Sequence, residues 1–162
     1  MQIQKSNEQD LDRIMEIYTH ARRFMAEHGN PNQWGHSYPT EKLIKDDISN
    51  EVCYLICEDN VPHGVFALFS GEEPTYQYIE NGKWLNDDAY VTIHRIASDG
   101  QVQGIFKCAI KYCKEISDNI RIDTHESNII MQKQIEKNDF QECGIIYVAD
   151  GSPRIAYQWT RN

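Results

Sequence analysis

The 162-residue sequence lacks the features that would assign it directly to several classes of protein. Its longest apolar runs, such as CYLIC and GVFALF, are far shorter than the about 20 residues of a membrane-spanning helix. The opening segment, MQIQKSNEQD, contains no apolar stretch of the kind found in secretory signal peptides. We therefore expect a cytoplasmic globular protein, and the length favours a single domain over residues 1–162.

Clusters of basic residues are also missing, and the chain carries 16 Lys and Arg residues against 25 Asp and Glu residues. The resulting formal net charge of −9 would repel a phosphate backbone. We therefore expect no nucleic acid as a partner, and the short apolar runs lead us to expect no membrane either. An acidic surface attracts cationic ligands such as amines, but it is also an ordinary means of staying in solution.

The five cysteines include no CxxC pair, and all of them lie in apolar or amphipathic segments. Their odd number and the missing signal peptide predict free, buried thiols rather than disulfides. No ligand spacing such as HxxxH with a partner occurs among His20, His28, His36 and His63, so we expect no metal. Charged residues on the second predicted helix, such as Asp46 and Asp47, are expected to be solvated.

Strand and helix patterns alternate along the whole chain. They predict a strand at residues 1–5, helices beginning after Ser6 or Asn7 and at Thr40, two strands around Asp59–Asn60, the strand AYVTIHRIA, a helix over residues 104–116, the strand NIRIDTH, a helix capped by Ser127, and two strands turning at Asp150–Gly151. Three strands followed by a strand–helix–strand crossover indicate an α/β (α+β) fold with a mixed sheet and helices on both faces.

A short polar loop with two glycines, SDGQVQG, separates one predicted strand from the helix that follows it. The start of a helix presents unpaired N–H groups and a partial positive charge, which together attract phosphate. The loop is neither a P-loop nor a GxGxxG fingerprint. By itself, the pattern is a weak signal, because most strand–loop–helix connections with a glycine are only turns.

Two motifs carry a resemblance to a known family. QVQGIFK resembles the pyrophosphate-binding loop, Q/R-x-x-G-x-G/A, of the GNAT N-acetyltransferase superfamily, with Gln101, Gly104 and Phe106 on its defining positions. THESNIIMQKQIEKNDF is similar to the family's second motif, in which Asn128 and Phe140 match. The segments NPNQWGHSYP and IHRIAS resemble a group of small bacterial GNAT proteins. The resemblance implies the GNAT fold over nearly the whole chain.

Three positions depart from the family pattern. Phe106 stands where the loop motif has Gly or Ala, so it is expected to turn away from the ligand or partly to cover it. Asp139 replaces a Gly, and Ile135 replaces the tyrosine that often protonates the CoA thiolate. Because a thiol has a pKa of ~8.5, the CoA thiolate can leave and then take its proton from water.

The resemblance implies transfer of the acetyl group of acetyl-CoA to a primary amine of a small molecule or peptide, by direct attack in a ternary complex. It implies that the strands TIHRIA and IRIDTH splay apart, and that pantetheine pairs with the first of them like an added strand. The expected cofactor-binding residues are Arg95, Ile96, Ala97, Gln101, Val102, Gln103, Gly104, Ile105, Phe106, Lys107 and Asn128.

A general base near neutral pH is expected to help, because the amine must be neutral to attack. His94 and His125 each end one of the splayed strands, and Asp123 precedes His125 by two residues. This trio would supply a base and an orienting carboxylate. The structural alternatives are a histidine packed between strands for His94 and a partner of Arg95 or Arg121 for Asp123.

Aromatic residues mark the expected acceptor side. Trp34 and Tyr38 lie in the loop between the first two helices, where an aromatic ring could hold a cationic amine, although Trp34 could equally be a packing residue. Tyr76, Tyr78 and Trp84 are expected near the surface of a long insert, in the acceptor pocket or in a homodimer contact. A weakly catalytic acyl-CoA sensor and a fold-only interaction protein stay open as alternatives.

Overall fold

The structure is a computed structural model that describes residues 1–161, and those residues form seven strands and four α-helices. The strands are β1 (Gln2–Lys5), β2 (Cys53–Glu58), β3 (Val61–Ser70), β4 (Val91–Ser98), β5 (Asn119–Thr124), β6 (Gln141–Tyr147) and β7 (Pro153–Thr160). The helices are α1 (Leu11–Glu27), α2 (Glu41–Ser49), α3 (Ile105–Ile116) and α4 (Ile129–Lys137). None of these helices is both long and apolar enough to cross a membrane.

The strands form one mixed sheet in the order β1-β2-β3-β4-β5-β7-β6. β1 with β2, β2 with β3, β5 with β7 and β7 with β6 are antiparallel pairs. β4 and β5 run parallel, with Val91 opposite Ile120 and Thr92 opposite Arg121. A parallel pair requires a crossover connection, which α3 supplies. The predicted mixed α/β fold class is confirmed.

The chain divides into two compact units, and each is described by itself. Unit 1 comprises Met1–Leu68 and His94–Tyr112, and unit 2 comprises Phe69–Ile93 and the chain from Cys113 onward. The core of unit 1 is built by apolar side chains of α1, α2, β2 and β3: Ile14, Ile17, Tyr18, Ala21, Ile44, Ile48, Leu55 and Val65. Their spacing of three and four residues along each helix explains why these segments fold as amphipathic helices.

Side-chain oxygens cap several helix starts by accepting hydrogen bonds from backbone N–H groups. The Asn7 side chain caps the 3₁₀ turn Glu8–Asp10 ahead of α1 by accepting from Gln9 N–H at 2.8 Å, and Thr40 caps α2 by accepting from Leu43 N–H at 3.2 Å. The prediction that Ser127 caps α4 is wrong. Asn128 is the cap, because its Oδ1 accepts from the Met131 N–H at 3.1 Å.

The insert before β4 is packed into unit 2, so the expectation that Tyr76 lies near the surface is wrong. Its ring is only 1% exposed and packs with Ile146 and Ala156. A short 3₁₀ turn over Pro74–Tyr76, capped by the Glu73 carboxylate, directs the ring inward. Tyr78, in contrast, is 63% exposed.

Asp139 adopts a left-handed backbone with φ 73°, at the position where the resembled motif has Gly. A residue with a Cβ is strained in this region, although Asp tolerates it better than most. The ion pair of its carboxylate with Lys114 is long, at 3.8 Å, and the Asp139 side chain is 83% exposed, so the pair contributes little. We therefore expect Asp139→Gly to raise the free energy of unfolding by roughly 0.5 kcal/mol, measured by urea denaturation.

A control separates backbone strain from loss of charge at this position. Asp46 is an exposed carboxylate with ordinary helical geometry inside α2. Asp46→Gly should lower stability by roughly 0.5–1 kcal/mol, because Gly weakens a helix interior. Two changes of the same sign would contradict the strain explanation for Asp139.

Candidate functional site

The loop before α3 turns on two glycines with positive φ, Gly100 at 74° and Gly104 at 85°. The Gly104 carbonyl accepts the helical hydrogen bond from Cys108 N–H at 2.9 Å, so the N–H groups just ahead of Cys108 belong to the open helix start. A Cβ built on exposed Gly104 would meet only the Met1 Cε, at 3.3 Å, within 4 Å. Backbone conformation, not crowding, therefore requires glycine here.

The base of this loop is held by Asp99, whose side chain is buried. Oδ1 accepts from the Gln101 N–H at 3.0 Å, while Oδ2 accepts from Arg13 Nη2 at 2.5 Å and His63 Nδ1 at 2.8 Å. Burial opposes ionisation of Asp99, but these hydrogen bonds outweigh it and hold its pKa below the ordinary value. Asp99 is therefore a stable carboxylate at neutral pH.

The Phe106 side chain is buried, with only 7% of it exposed. It shares the apolar face of α3 with Ile110 and Cys113, which follow at helical spacing and are also buried. Neighbouring Ile105 fills the space beside Gly64 of β3, where an added Cβ would lie 2.6 Å from it. The aromatic ring at the departing motif position is thus part of the core and does not cover the loop.

Arg95 adopts a left-handed conformation, φ 53°, in the middle of β4. Its carbonyl accepts from the hydroxyl of buried Tyr18 at 2.7 Å. Its guanidinium donates to both oxygens of Asp47, at 2.9 and 2.8 Å, and to the Tyr38 hydroxyl at 3.3 Å. These contacts fix a strained residue in the strand that the sequence predicted to bind pantetheine.

The two candidate acceptor residues come together in unit 1 beside Arg95. Trp34 packs on the core and lies 5.7 Å, ring centre to ring centre, from Tyr18 and 6.2 Å from Tyr38. Tyr38 is 38% exposed and reaches the Arg95 guanidinium. Of the two, Tyr38 has the ring that a ligand can approach.

Asp47 is buried, so the expectation that it is solvated is wrong. Burial raises its pKa, and the charge and hydrogen bonds of Arg95 act in the opposite direction. Helical spacing contained a signal for this residue, because Asp47 lies on the same face of α2 as the buried Ile44 and Ile48. Asp46, one position earlier, is exposed as expected.

In unit 2, the predicted catalytic residues Asp123 of β5 and His125, directly after β5, are held by separate partners. Asp123 Oδ2 accepts from the Tyr76 hydroxyl at 2.6 Å. His125 Nδ1 accepts from Ser127 N–H at 3.0 Å, which places the proton of the neutral ring on Nε2. Burial, followed by the charge of Arg154, lowers the pKa of His125. The ring is therefore neutral at pH 7.

Arg121 contributes to the packing of unit 2. Its guanidinium lies 4.1 Å from the ring centre of Trp84 and 3.9 Å from that of Tyr90, and it donates to the Asn86 carbonyl at 2.9 Å.

The three predicted catalytic residues fall in different units. Half-buried His94 belongs to unit 1, whereas Asp123 and His125 belong to unit 2. The joint action of the predicted trio therefore stays a prediction.

Several residues around the candidate site were not singled out by sequence reasoning: Arg13, Tyr18, Asp47 and His63. Apart from Asp47, no local pattern marks them, because each acts through a partner distant along the chain.

Burial raises the pKa of Cys53 to about 11 and that of Cys113 to about 12, so both are unreactive thiols. Among residues 1–161, no group of three or more His, Cys, Asp or Glu side chains could hold a metal ion.

No protein-family model matches the chain, and no curated protein matches it either. Many solved structures, in contrast, do match this chain. A GNAT-family acetyltransferase from Streptococcus agalactiae is 33% identical with a TM-score of 0.91, over 99% of this chain and 95% of that one. A GNAT-family acetyltransferase from Listeria monocytogenes is 20% identical with a TM-score of 0.70, over 98% and 94% of the two chains.

A third structure was solved with acetyl-CoA. It is yncA from Salmonella typhimurium, which is 12% identical with a TM-score of 0.65, over 99% of this chain and 94% of that one. At this identity the similarity, like that of the Listeria protein, concerns the fold alone. The Streptococcus protein is similar in sequence as well as in fold.

Proposed function

This chain belongs to the GNAT family of acetyltransferases, and we propose that it transfers the acetyl group of acetyl-CoA to a primary amine of a small molecule or peptide. The observation that carries the proposal is the loop before α3, in which exposed Gly104 opens a helix with φ 85°. A helix start with a glycine lets backbone N–H groups approach a diphosphate closely.

The loop suits the diphosphate of CoA in shape and in donors. N–H groups from Val102 to Lys107 precede or occupy the first turn of α3, where the helix leaves its donors without partners. Lys107 is exposed in that turn and adds a positive charge. Buried Phe106 contributes its backbone and leaves the loop surface uncovered.

Backbone groups of β4 would receive the pantetheine arm. The carbonyl of Arg95 already accepts from Tyr18, so the proposal assigns the pairing mainly to Ile96 and Ala97. Asn128 belongs to unit 2, where its side-chain oxygen caps α4, and its part in cofactor binding stays a prediction. The left-handed turn at Arg95 redirects the strand at the point where this pairing would begin.

Amine attack forms the new C–N bond, breaks the C–S bond and releases one proton from nitrogen. In the proposal His94 takes that proton, because Nδ1 of His125 is already occupied by the Ser127 N–H. His125, whose ring proton is on Nε2, and Asp123 belong to unit 2, and their part in the reaction stays a prediction. Ile135 is fully buried and has no proton to give, so water would protonate the thiolate.

On the acceptor side, Tyr38 is proposed to contact the incoming amine. Its ring is exposed, and an ammonium group over an aromatic face is attracted by the π-system. The charges of Arg95 and Asp47 balance each other beside it, so no unpaired positive charge repels the amine. Trp34 supports the ring from the core side.

Thermal unfolding with and without excess acetyl-CoA tests the cofactor site without knowledge of the acceptor. A ligand at 100 times its dissociation constant adds ~2.7 kcal/mol of stability. For a chain of this size we expect the midpoint to rise by roughly 5–10 °C. NAD, which is also a diphosphate nucleotide, serves as the control and should leave the midpoint unchanged.

The outcomes separate the alternatives. An unchanged unfolding midpoint at millimolar acetyl-CoA would contradict the proposed function. It would favour a protein that has the GNAT fold but serves as an interaction partner. A shift without turnover across a panel of primary amines would favour an acyl-CoA sensor, for which buried Ile135 is the supporting observation.

A further inference from the structure

Asp99 lies directly after β4, where the strand passes into the loop, and only 6% of the residue is exposed. A carboxylate that is removed from water requires hydrogen-bond donors to keep its charge. Asp99 has donors from separate parts of unit 1: Arg13 of α1, His63 of β3 and the Gln101 backbone. The proposed chemistry gives none of these side chains a role.

The same residue is tied to the sheet through its backbone. Its N–H donates to the His63 carbonyl at 2.9 Å, next to the bond between its side chain and the His63 ring. Arg13 is fixed in turn, because its Nε donates to the Pro62 carbonyl at 3.0 Å. One carboxylate thus joins α1, β3 and the loop by charge-assisted hydrogen bonds, which are among the stronger ones.

This geometry determines which loop amides are turned inward. The Gln101 N–H donates to Asp99 Oδ1, and the Gly100 N–H donates to Ser98 Oγ, both at 3.0 Å. Those two donors are therefore occupied within the protein. Donors that remain for an anion begin at Val102, closer to the start of α3.

We infer that Asp99 is a positioning residue that holds the loop in its anion-binding conformation before the ligand arrives. The inference rests on the proposed function, since it concerns the same diphosphate loop. Asp99 does not touch the diphosphate. It fixes Gln101, next to the Gly100 that Ser98 holds, so that the following N–H groups face outward without rearrangement.

A variant distinguishes positioning from simple charge. Asp99→Asn has the same shape, but its NH₂ group presents donors to Arg13 and His63, which themselves donate. If net charge governed binding, loss of a carboxylate near a diphosphate would tighten it. Positioning requires the opposite: the dissociation constant for CoA should rise about tenfold, because about one residue must be ordered during binding rather than before it.

Isothermal titration with CoA measures this effect. Asp59→Asn is the matched control, because Asp59 is an exposed carboxylate in the β2–β3 turn and loses the same charge. The control should bind CoA like the unmodified protein. Unchanged or tighter binding by Asp99→Asn would overturn the inference.

Amide hydrogen exchange without ligand supplies a readout that general destabilisation does not imitate. Asp99→Asn should accelerate exchange in residues 100–107 while α2 and β7 keep their rates. A uniform increase in exchange rates across the chain would mean that Asp99 only stabilises the fold, and it would overturn the inference. If the unmodified protein binds no CoA, the proposed function fails, while the exchange experiment still reports on the loop.

Discussion

Asp47→Asn is expected to lower the free energy of unfolding by about 3–5 kcal/mol, because it leaves the buried Arg95 guanidinium without its counter-charge. The side chains of Asp47 and Arg95 are only 6% and 10% exposed. Asn fits the same space, so the loss reflects the charge and hydrogen bonds and not a cavity. Its NH₂ group would also face a donor of Arg95.

Urea denaturation measures this effect, and α2 offers a close control. Asp46 carries the same charge one position earlier, but its ion pair with Lys42, at 3.4 Å, is exposed. Asp46→Asn should therefore change stability by less than about 1 kcal/mol. Adding Arg95→Met to Asp47→Asn should recover part of the loss, since the isolated charge is then removed. Equal effects of Asp46→Asn and Asp47→Asn would contradict a buried ion pair.

The consequence for function lies in the backbone of Arg95. A non-glycine residue at φ 53° costs free energy, and surrounding contacts must hold it there. Tyr18 holds the carbonyl and Asp47 holds the side chain. Loss of Asp47 would therefore relax β4 next to Ile96 and Ala97, the groups proposed to pair with pantetheine.

The fold was largely predictable because its signals are local. Apolar spacing predicted α1, the capping residue Thr40 marked the start of α2, and turn residues such as Asp59–Asn60 predicted the hairpin that the structure confirms. The family motif around Gln101 and Gly104 is a run of a few residues, and the similarity to a solved GNAT protein confirms the family that it indicated.

The support of the site was not predictable from local patterns. Asp99 contacts Arg13 across 86 positions of the chain and His63 across 36 positions. Tyr76, expected at the surface, donates to Asp123 across 47 positions. Periodicity describes which face of an element is buried, but it does not state which distant polar group lies opposite.

Caps and strained residues form an intermediate case. Ser127 and Asn128 are both good capping residues, and their order along the chain does not decide between them. The structure decides because Ser127 N–H donates to His125, while the Asn128 side chain reaches Met131. The sequence predicted the helix correctly but placed its capping residue one position too early.

Gly104→Ala is expected to weaken CoA binding about a hundredfold, as befits the loss of one or two charge-assisted hydrogen bonds from the loop amides. Gly104 has φ 85°. An added Cβ makes that conformation costly by roughly 1–2 kcal/mol, so the loop turns toward negative φ and its N–H groups rotate away from the anion. Titration with CoA measures the affinity, and urea denaturation measures the cost to stability.

Gly151→Ala is the matched control, because Gly151 has the same φ of 85° and lies in the β6–β7 turn with no atom within 4 Å of an added Cβ. Both variants should lose similar stability, since both place a Cβ in the same backbone region. Only Gly104→Ala should lose affinity for CoA. Equal affinities would mean that the loop amides do not bind the diphosphate, whereas a selective loss at Gly104 would tie the left-handed turn itself to cofactor binding.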